Sequence, residues 1–116
     1  MAALLAKVGS GDASALGAHS ALRMATLGGA QALGKQKQIG SLQTGKAADM
    51  TAVRLDDWII QPCFDPASHL IYAAGREHVS HVWVNGKLAV ANGQLCNAQI
   101  VKMTAIAALW QNKLVT

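Results

Sequence analysis

Hydrophobic positions divide the chain into a helical first third, a β-rich middle and a helical end. Ala18, Ala21, Leu22 and Ala25 keep the three-and-four spacing of a buried helical face, which predicts a helix over residues 18–25. Before it, Ala2-Ala-Leu-Leu-Ala-Lys7 reads as the tail of a helix ended by Gly9-Ser-Gly11. After it, Thr26 is placed to cap a third, short helix through Ala32, closed by Gly34 as a left-handed terminal residue. Two short helices at an angle are expected. A site hydroxyl is the other reading of Thr26, and a cap is the commoner role.

The middle begins at Ile39-Gly-Ser-Leu-Gln-Thr-Gly-Lys-Ala-Ala-Asp-Met50, a glycine-punctuated crossing from helix to strand. Met50-Thr-Ala-Val-Arg-Leu55 alternates like a half-buried strand. Asp65-Pro66 followed by Ser68 opens a short helical segment through Tyr72, in which Tyr72 and His69 are expected to serve packing or an interface. Residues 79–84 and 87–91 flank Asn85-Gly86, the mirror-image turn signal of a β-hairpin. One face of that hairpin carries Val79, His81 and Trp83, the other Val82 and Val84, so a sheet covered on both sides is expected. Asn92-Gly93 makes a further turn, and Asn97 is placed to cap a last helix. Its residues Ile100, Met103, Ala107, Trp110 and Leu114 form a packing seam. Docking of that seam on the chain's own sheet is favoured over a partner-helix surface.

Length and composition change the picture in one respect. A single domain of 116 residues buries roughly 65% of its unfolded surface, so it can hold a core. Yet 52% of the residues are hydrophobic and only 14% charged, against about 25% in an ordinary soluble domain, which implies apolar surface that expects a partner. No apolar run is long enough for a membrane span, and Met1-Ala-Ala-Leu-Leu-Ala-Lys7 lacks the features of a signal peptide; a cytoplasmic protein with no membrane partner is expected. The net charge is +4, but the ten basic residues are scattered and only Lys35-Gln-Lys37 approaches a cluster, so no nucleic-acid partner is expected. Cys63 and Cys96 read as unpaired thiols in a reducing compartment.

Ala21-Leu-Arg-Met-Ala-Thr-Leu-Gly-Gly-Ala-Gln-Ala-Leu-Gly34, then Ile39-Gly-Ser-Leu42, Gly45-Lys46 and Ala48-Asp49 before a strand, resembles the C-terminal signature of the amidohydrolase superfamily. The branch is that of methylthioadenosine/S-adenosylhomocysteine deaminases and triazine chlorohydrolases. Gln61-Pro-Cys-Phe-Asp-Pro66, Leu70-Ile-Tyr-Ala-Ala-Gly-Arg76 and Val82-Trp-Val-Asn-Gly86 continue the resemblance, which covers residues 2–95. It implies an α/β fold in fragment: the last helices of a TIM-like barrel over residues 1–36, an antiparallel segment of a composite β-sandwich over 37–97, and a terminal helix over 98–116. Because a barrel alone needs about 250 residues, the chain is expected to be a part, beginning just after the strand whose end carries the last metal-binding aspartate.

The resemblance further implies hydrolytic deamination of an aminopurine nucleoside, with triazine dechlorination as a sister activity. A divalent metal, zinc or iron, is held in such enzymes by a His-x-His pair, two later histidines and an aspartate, and activates water. None of these ligands falls in this chain. Its histidines, His19, His69, His78 and His81, include no His-x-His pair, and an extended strand would turn His78 and His81 to opposite faces. Metal binding by these histidines or by Cys63 and Cys96 is not expected. Asp56-Asp57 has the form of an acid-base pair, though exposed loop carboxylates are commoner. No phosphate loop, nucleophile elbow or Cys-His arrangement occurs. No catalytic, cofactor-binding or metal residue is therefore assigned, and inactivity of the chain alone is expected. The rival class is a non-enzymatic assembly module. Both readings expect a partner, either a second copy in a homo-oligomer or the missing N-terminal barrel part.

Overall fold

The computed structural model describes residues 1–96 and 100–114. Helix α1 (Ala2–Ser10) runs through Gly9 and closes on Gly11, which adopts a left-handed conformation. Ser10 helps the ending by returning its hydroxyl to the Ala6 carbonyl at 2.7 Å.

Helices α2 (Ala18–Arg23) and α3 (Gly29–Ala32) are not two helices at an angle. A five-residue π-helical turn, Met24–Gly28, joins them, and the backbone stays in the right-handed helical region through Gly28 and Gly29. Thr26 is therefore no cap. Its hydroxyl donates to the Leu22 carbonyl at 2.8 Å, one turn back along the same helix, and a hydroxyl bonded this way bends a helix rather than ending it. Gly28 eases the wide turn, since a Cβ there would make a tight contact of 3.3 Å with the Arg23 carbonyl oxygen. The helix ends as the sequence indicates, with Gly34 at φ 66°.

The sheet is antiparallel throughout, in the order β1-β2-β3-β4, with β1 (Met50–Val53), β2 (Val79–Val84), β3 (Lys87–Ala91) and β4 (Gln94–Leu95). Asn85 and Gly86, at φ 50° and 74°, form the hairpin turn between Val84 and Lys87, which pair directly. Asn92-Gly93 makes the further turn that its sequence indicates, at φ 51° and 76°. It makes a second hairpin that returns Gln94 and Leu95 to β3. His81 and Trp83 share a face, their rings stacked 5.6 Å apart, whereas His78 lies outside the strand in the 3₁₀ turn Arg76–His78. Side chains from Val79 to Trp83 are half-buried on both faces rather than covered.

Between β1 and β2 lie a 3₁₀ turn, Trp58–Ile60, and α4 (Pro66–Tyr72). Asp65 caps α4, accepting from the Ala67 and Ser68 amides at 3.3 and 3.0 Å, and Pro66 occupies the first turn. The core is small and made of small residues. Ala18 and Ala21 on α2 and Ala67 on α4 are buried where those helices pack together, with Ala3, Ala30 and Ile60. Among the described residues no large side chain is fully buried.

Helix α5 (Ile100–Leu114) forms as its periodicity indicates, but it does not dock on the sheet. Every described side chain from Lys102 to Leu114 is exposed, Met103 and Trp110 both at 59%. Asn97, expected to cap this helix, lies outside the described residues.

Candidate functional site

The connection from Ile39 to Met50 holds the helical and sheet layers together, and its Lys46 and Asp49 side chains bond backbone. Gly40, at φ 88°, passes directly over the helix: a Cβ there would sit 2.6 Å from the Ala30 Cβ and 3.1 Å from the Thr26 carbonyl oxygen. Only glycine allows that approach. Lys46 reaches back with its ammonium to the Gln36 carbonyl and to the Ser41 hydroxyl at 2.7 Å, and the Ala47 amide bonds the Gln38 carbonyl at 2.8 Å. Asp49 then accepts the Asn85 amide at 2.7 Å while the Gly86 amide donates to the Ala48 carbonyl at 3.0 Å. A carboxylate receiving a backbone N–H makes a strong, charge-assisted clip, here between residues 36 apart in sequence. The Gly, Lys and Asp of this stretch are thus structural: one lets the chain touch the helix, one closes the loop, and one fixes the hairpin turn against the start of β1.

Where the layers meet they leave an open, largely apolar groove of 710 Å³. Leu22 and Leu33 line it from the helices, Ile39 from the connection, Met50 and Val53 from β1, and Leu70 from α4. Thr26 is also at its wall, but with its hydroxyl engaged by the Leu22 carbonyl. Periodicity gave no signal for this groove, because its walls come from four separate segments.

The titratable residues do not converge on it. His78 is buried, 4% exposed, and its Nδ1 accepts the Gly75 amide at 3.0 Å, which puts the ring proton on Nε2. That nitrogen lies 3.9 Å from Asp57 Oδ2, too far for a hydrogen bond, and Glu77 Oε1 is 3.5 Å from Nδ1. Asp57 is otherwise occupied in capping the 3₁₀ turn, accepting the Ile59 amide at 3.1 Å, while Asp56 is exposed. The two carboxylates are therefore not an acid-base pair.

His69 bonds the Ile60 carbonyl through Nε2 at 2.7 Å and ties α4 to that turn. Tyr72 lies under the Lys7 ammonium, 5.9 Å from the ring centre. Both side chains therefore serve packing. His19 is exposed and faces Asp65 at 3.7 Å, and hydrogen bonds from the Ser68 hydroxyl and amide hold the Asp65 carboxyl below its ordinary value of 3.8. Cys63 and Cys96 are unpaired. Among the described residues, no three of His, Cys, Asp or Glu come together in a way that fits a metal ion, and no chemical step is derived through one.

Residues 1–89 match the amidohydrolase family, and the chain belongs to it. It is 43% identical over 113 residues to the 5-methylthioadenosine/S-adenosylhomocysteine deaminase of Teredinibacter turnerae, a match covering 97% of this chain and 26% of that protein. To the 5'-deoxyadenosine deaminase of Methanosarcina acetivorans it is 45% identical over 91 residues, 78% of this chain and 21% of the relative. Among solved structures, an adenosine deaminase from Xanthomonas campestris with bound zinc superposes on it with a TM-score of 0.93 at 44% identity, over 97% of this chain and 26% of the other. A zinc complex of atrazine chlorohydrolase from Arthrobacter aurescens follows at a TM-score of 0.80 and 33% identity, over 92% and 24%. The chain thus spans about a quarter of the length of the relatives it matches. Deaminases and triazine hydrolases are the two groups that the stretch from Ala21 to Gly86 resembles, and both stand among these matches.

Proposed function

We propose that this chain is the C-terminal quarter of a zinc-dependent hydrolytic deaminase, and that it supplies structure rather than chemistry to the hydrolysis of an aminopurine nucleoside such as methylthioadenosine or S-adenosylhomocysteine. In that reaction water replaces the ring amino group and ammonia leaves. The observation that carries the reading is the match over 97% of the chain to a deaminase four times its length, combined with a connection whose Gly, Lys and Asp are all engaged in holding layers together. On this reading residues 1–36 are barrel helices and residues 37–97 part of a small sandwich. The apolar groove at Leu22, Leu33 and Leu70, together with the exposed Leu4, Leu5 and Val8 of α1, is covered by the remaining three quarters of an enzyme. Unpaired Cys63 and Cys96 support a cytoplasmic setting.

The test is complementation. Alone, the chain is expected to hold no stoichiometric zinc and to release no ammonia from methylthioadenosine. Expressed together with the first three quarters of the Teredinibacter enzyme, it is expected to co-purify and restore turnover. Turnover by the chain alone, or no complex with that portion, would refute the reading.

A second reading, a non-catalytic module that associates with itself, is favoured by one observation: large apolar side chains stand exposed on α5 and on the turn before α4, away from the groove.

A further inference from the structure

We propose that the apolar seam of α5 and the exposed turn at residues 56–65 are the two halves of one self-complementary interface, through which two copies of the chain pair about a two-fold axis. On α5, Met103, Ile106, Trp110 and Leu114 recur at intervals of three, four and four and make one stripe, roughly 17 Å long at the helical rise. The only charges on this helix are Lys102 and Lys113. They are eleven residues apart, so they fall on the same side, next to Ile106, and the Lys113 ammonium lies 5.2 Å from the centre of the Trp110 ring. The seam is apolar with a basic lip.

The turn is its counterpart in sign. Trp58, Ile59 and Phe64 are 82%, 68% and 90% exposed, three large apolar side chains within seven residues, a concentration that marks an interaction site rather than scattered surface. Asp56, Asp57 and Asp65 lie beside them in the chain, three carboxylates against one flanking cation, Arg54, with His19 3.7 Å from Asp65 and the buried His78 3.9 Å from Asp57. A basic-lipped seam and an acid-rimmed apolar turn are electrostatically complementary, which favours their encounter over pairing of two like seams.

One molecule leaves both bare. The turn follows β1, an edge strand of the sheet, and α5 follows β4, the strand at the other edge, in the order of the chain, and the large apolar side chains of both stand exposed. A second copy covers both surfaces at once, because each chain gives a helix and receives one, the condition for a closed two-fold dimer. The groove at Leu22 and Leu33 is left free, and the pairing rests on the self-association reading above.

Light scattering over a range of micromolar concentrations, with circular dichroism to verify folding, tests this. The wild-type chain is expected at twice its 12.1 kDa mass. A helix variant, Met103→Glu with Trp110→Glu, and a turn variant, Trp58→Glu with Phe64→Glu, are each expected at the monomer mass. Mixing the two variants is expected to regenerate a 1:1 dimer through the one seam and one turn left intact, a result that misfolded variants could not give. Three results would overturn the proposal: a turn variant that stays dimeric, which means that seams pair with seams; variants that fail to associate on mixing; and a wild-type monomer at every concentration. A monomer that sediments with anionic phosphatidylglycerol vesicles would in addition assign the seam to a membrane surface.

Discussion

The connection at residues 39–50 and helix α5 make opposite use of similar sequence signals. Each carries a clear local pattern, glycines around Lys46 and Asp49 in one, a three-and-four apolar stripe in the other. In the connection, three parts of the pattern meet partners: Gly40 meets Ala30, Lys46 meets Gln36 and Ser41, and Asp49 meets Asn85. In α5 the stripe residues Met103, Ile106, Trp110 and Leu114 stand exposed, and Trp110 meets Lys113 of its own helix. Hydrophobic periodicity fixes which face of a helix must be covered, but it carries no information on what covers it. Glycines and charged groups that bond backbone are tied to one geometry, and so they locate the layers.

Breaking the connection should have the largest effect. Gly40→Ala forces a Cβ to 2.6 Å from Ala30 on a backbone with φ 88°, and should cost on the order of 3 kcal/mol, read as a lowered urea midpoint. An unchanged midpoint would mean that the connection lifts off the helix at no cost. Gly86→Val should cost about 2 kcal/mol, because a β-branched residue is strained at the left-handed second position of the hairpin turn. A melting temperature equal to that of the parent chain would place the strain elsewhere.

Acid should act on α4 next. The Asp65 carboxyl titrates below 3.8 in the folded chain, so the capping stabilisation is complete above that value and is lost as pH falls through the lowered one. Asp65→Asn should remove this part of the acid dependence of unfolding and leave the remainder, and superimposable pH profiles for the two proteins would refute the assignment. The smallest effect is expected on α5. Leu109 lies off the seam and is 63% exposed, so Leu109→Ala should change stability by no more than about 0.5 kcal/mol. A loss of several times that amount would show that α5 packs on the rest of the chain.

The sequence by itself determined most of the elements. The helices, the strand at Met50, the Asp65-capped helix and the Asn85-Gly86 hairpin all lie where spacing and turn chemistry put them, because each depends on residues a few positions apart. Family membership was legible for a related reason, since separated motifs in fixed order need no structure to be compared. Local chemistry misled at Thr26, where a hydroxyl before two glycines has the form of a cap but bonds back into a π-helical turn. The turn at Asn92-Gly93 lies where its sequence indicates, but the strand after it was not legible, because a partner for Gln94-Leu95 exists only once β3 is in place.

What only the tertiary structure decided was everything that joins distant segments. That the Asp49 carboxylate fastens a turn 36 residues away, that His78 is buried against Gly75 and Asp57 instead of standing on the strand, and that a groove opens between α2, α3, β1 and α4 all follow from packing. These contacts depend on where the layers come to rest, which no window of sequence contains. The same reason explains α5, whose apolar stripe was evident in the sequence and whose exposure was not.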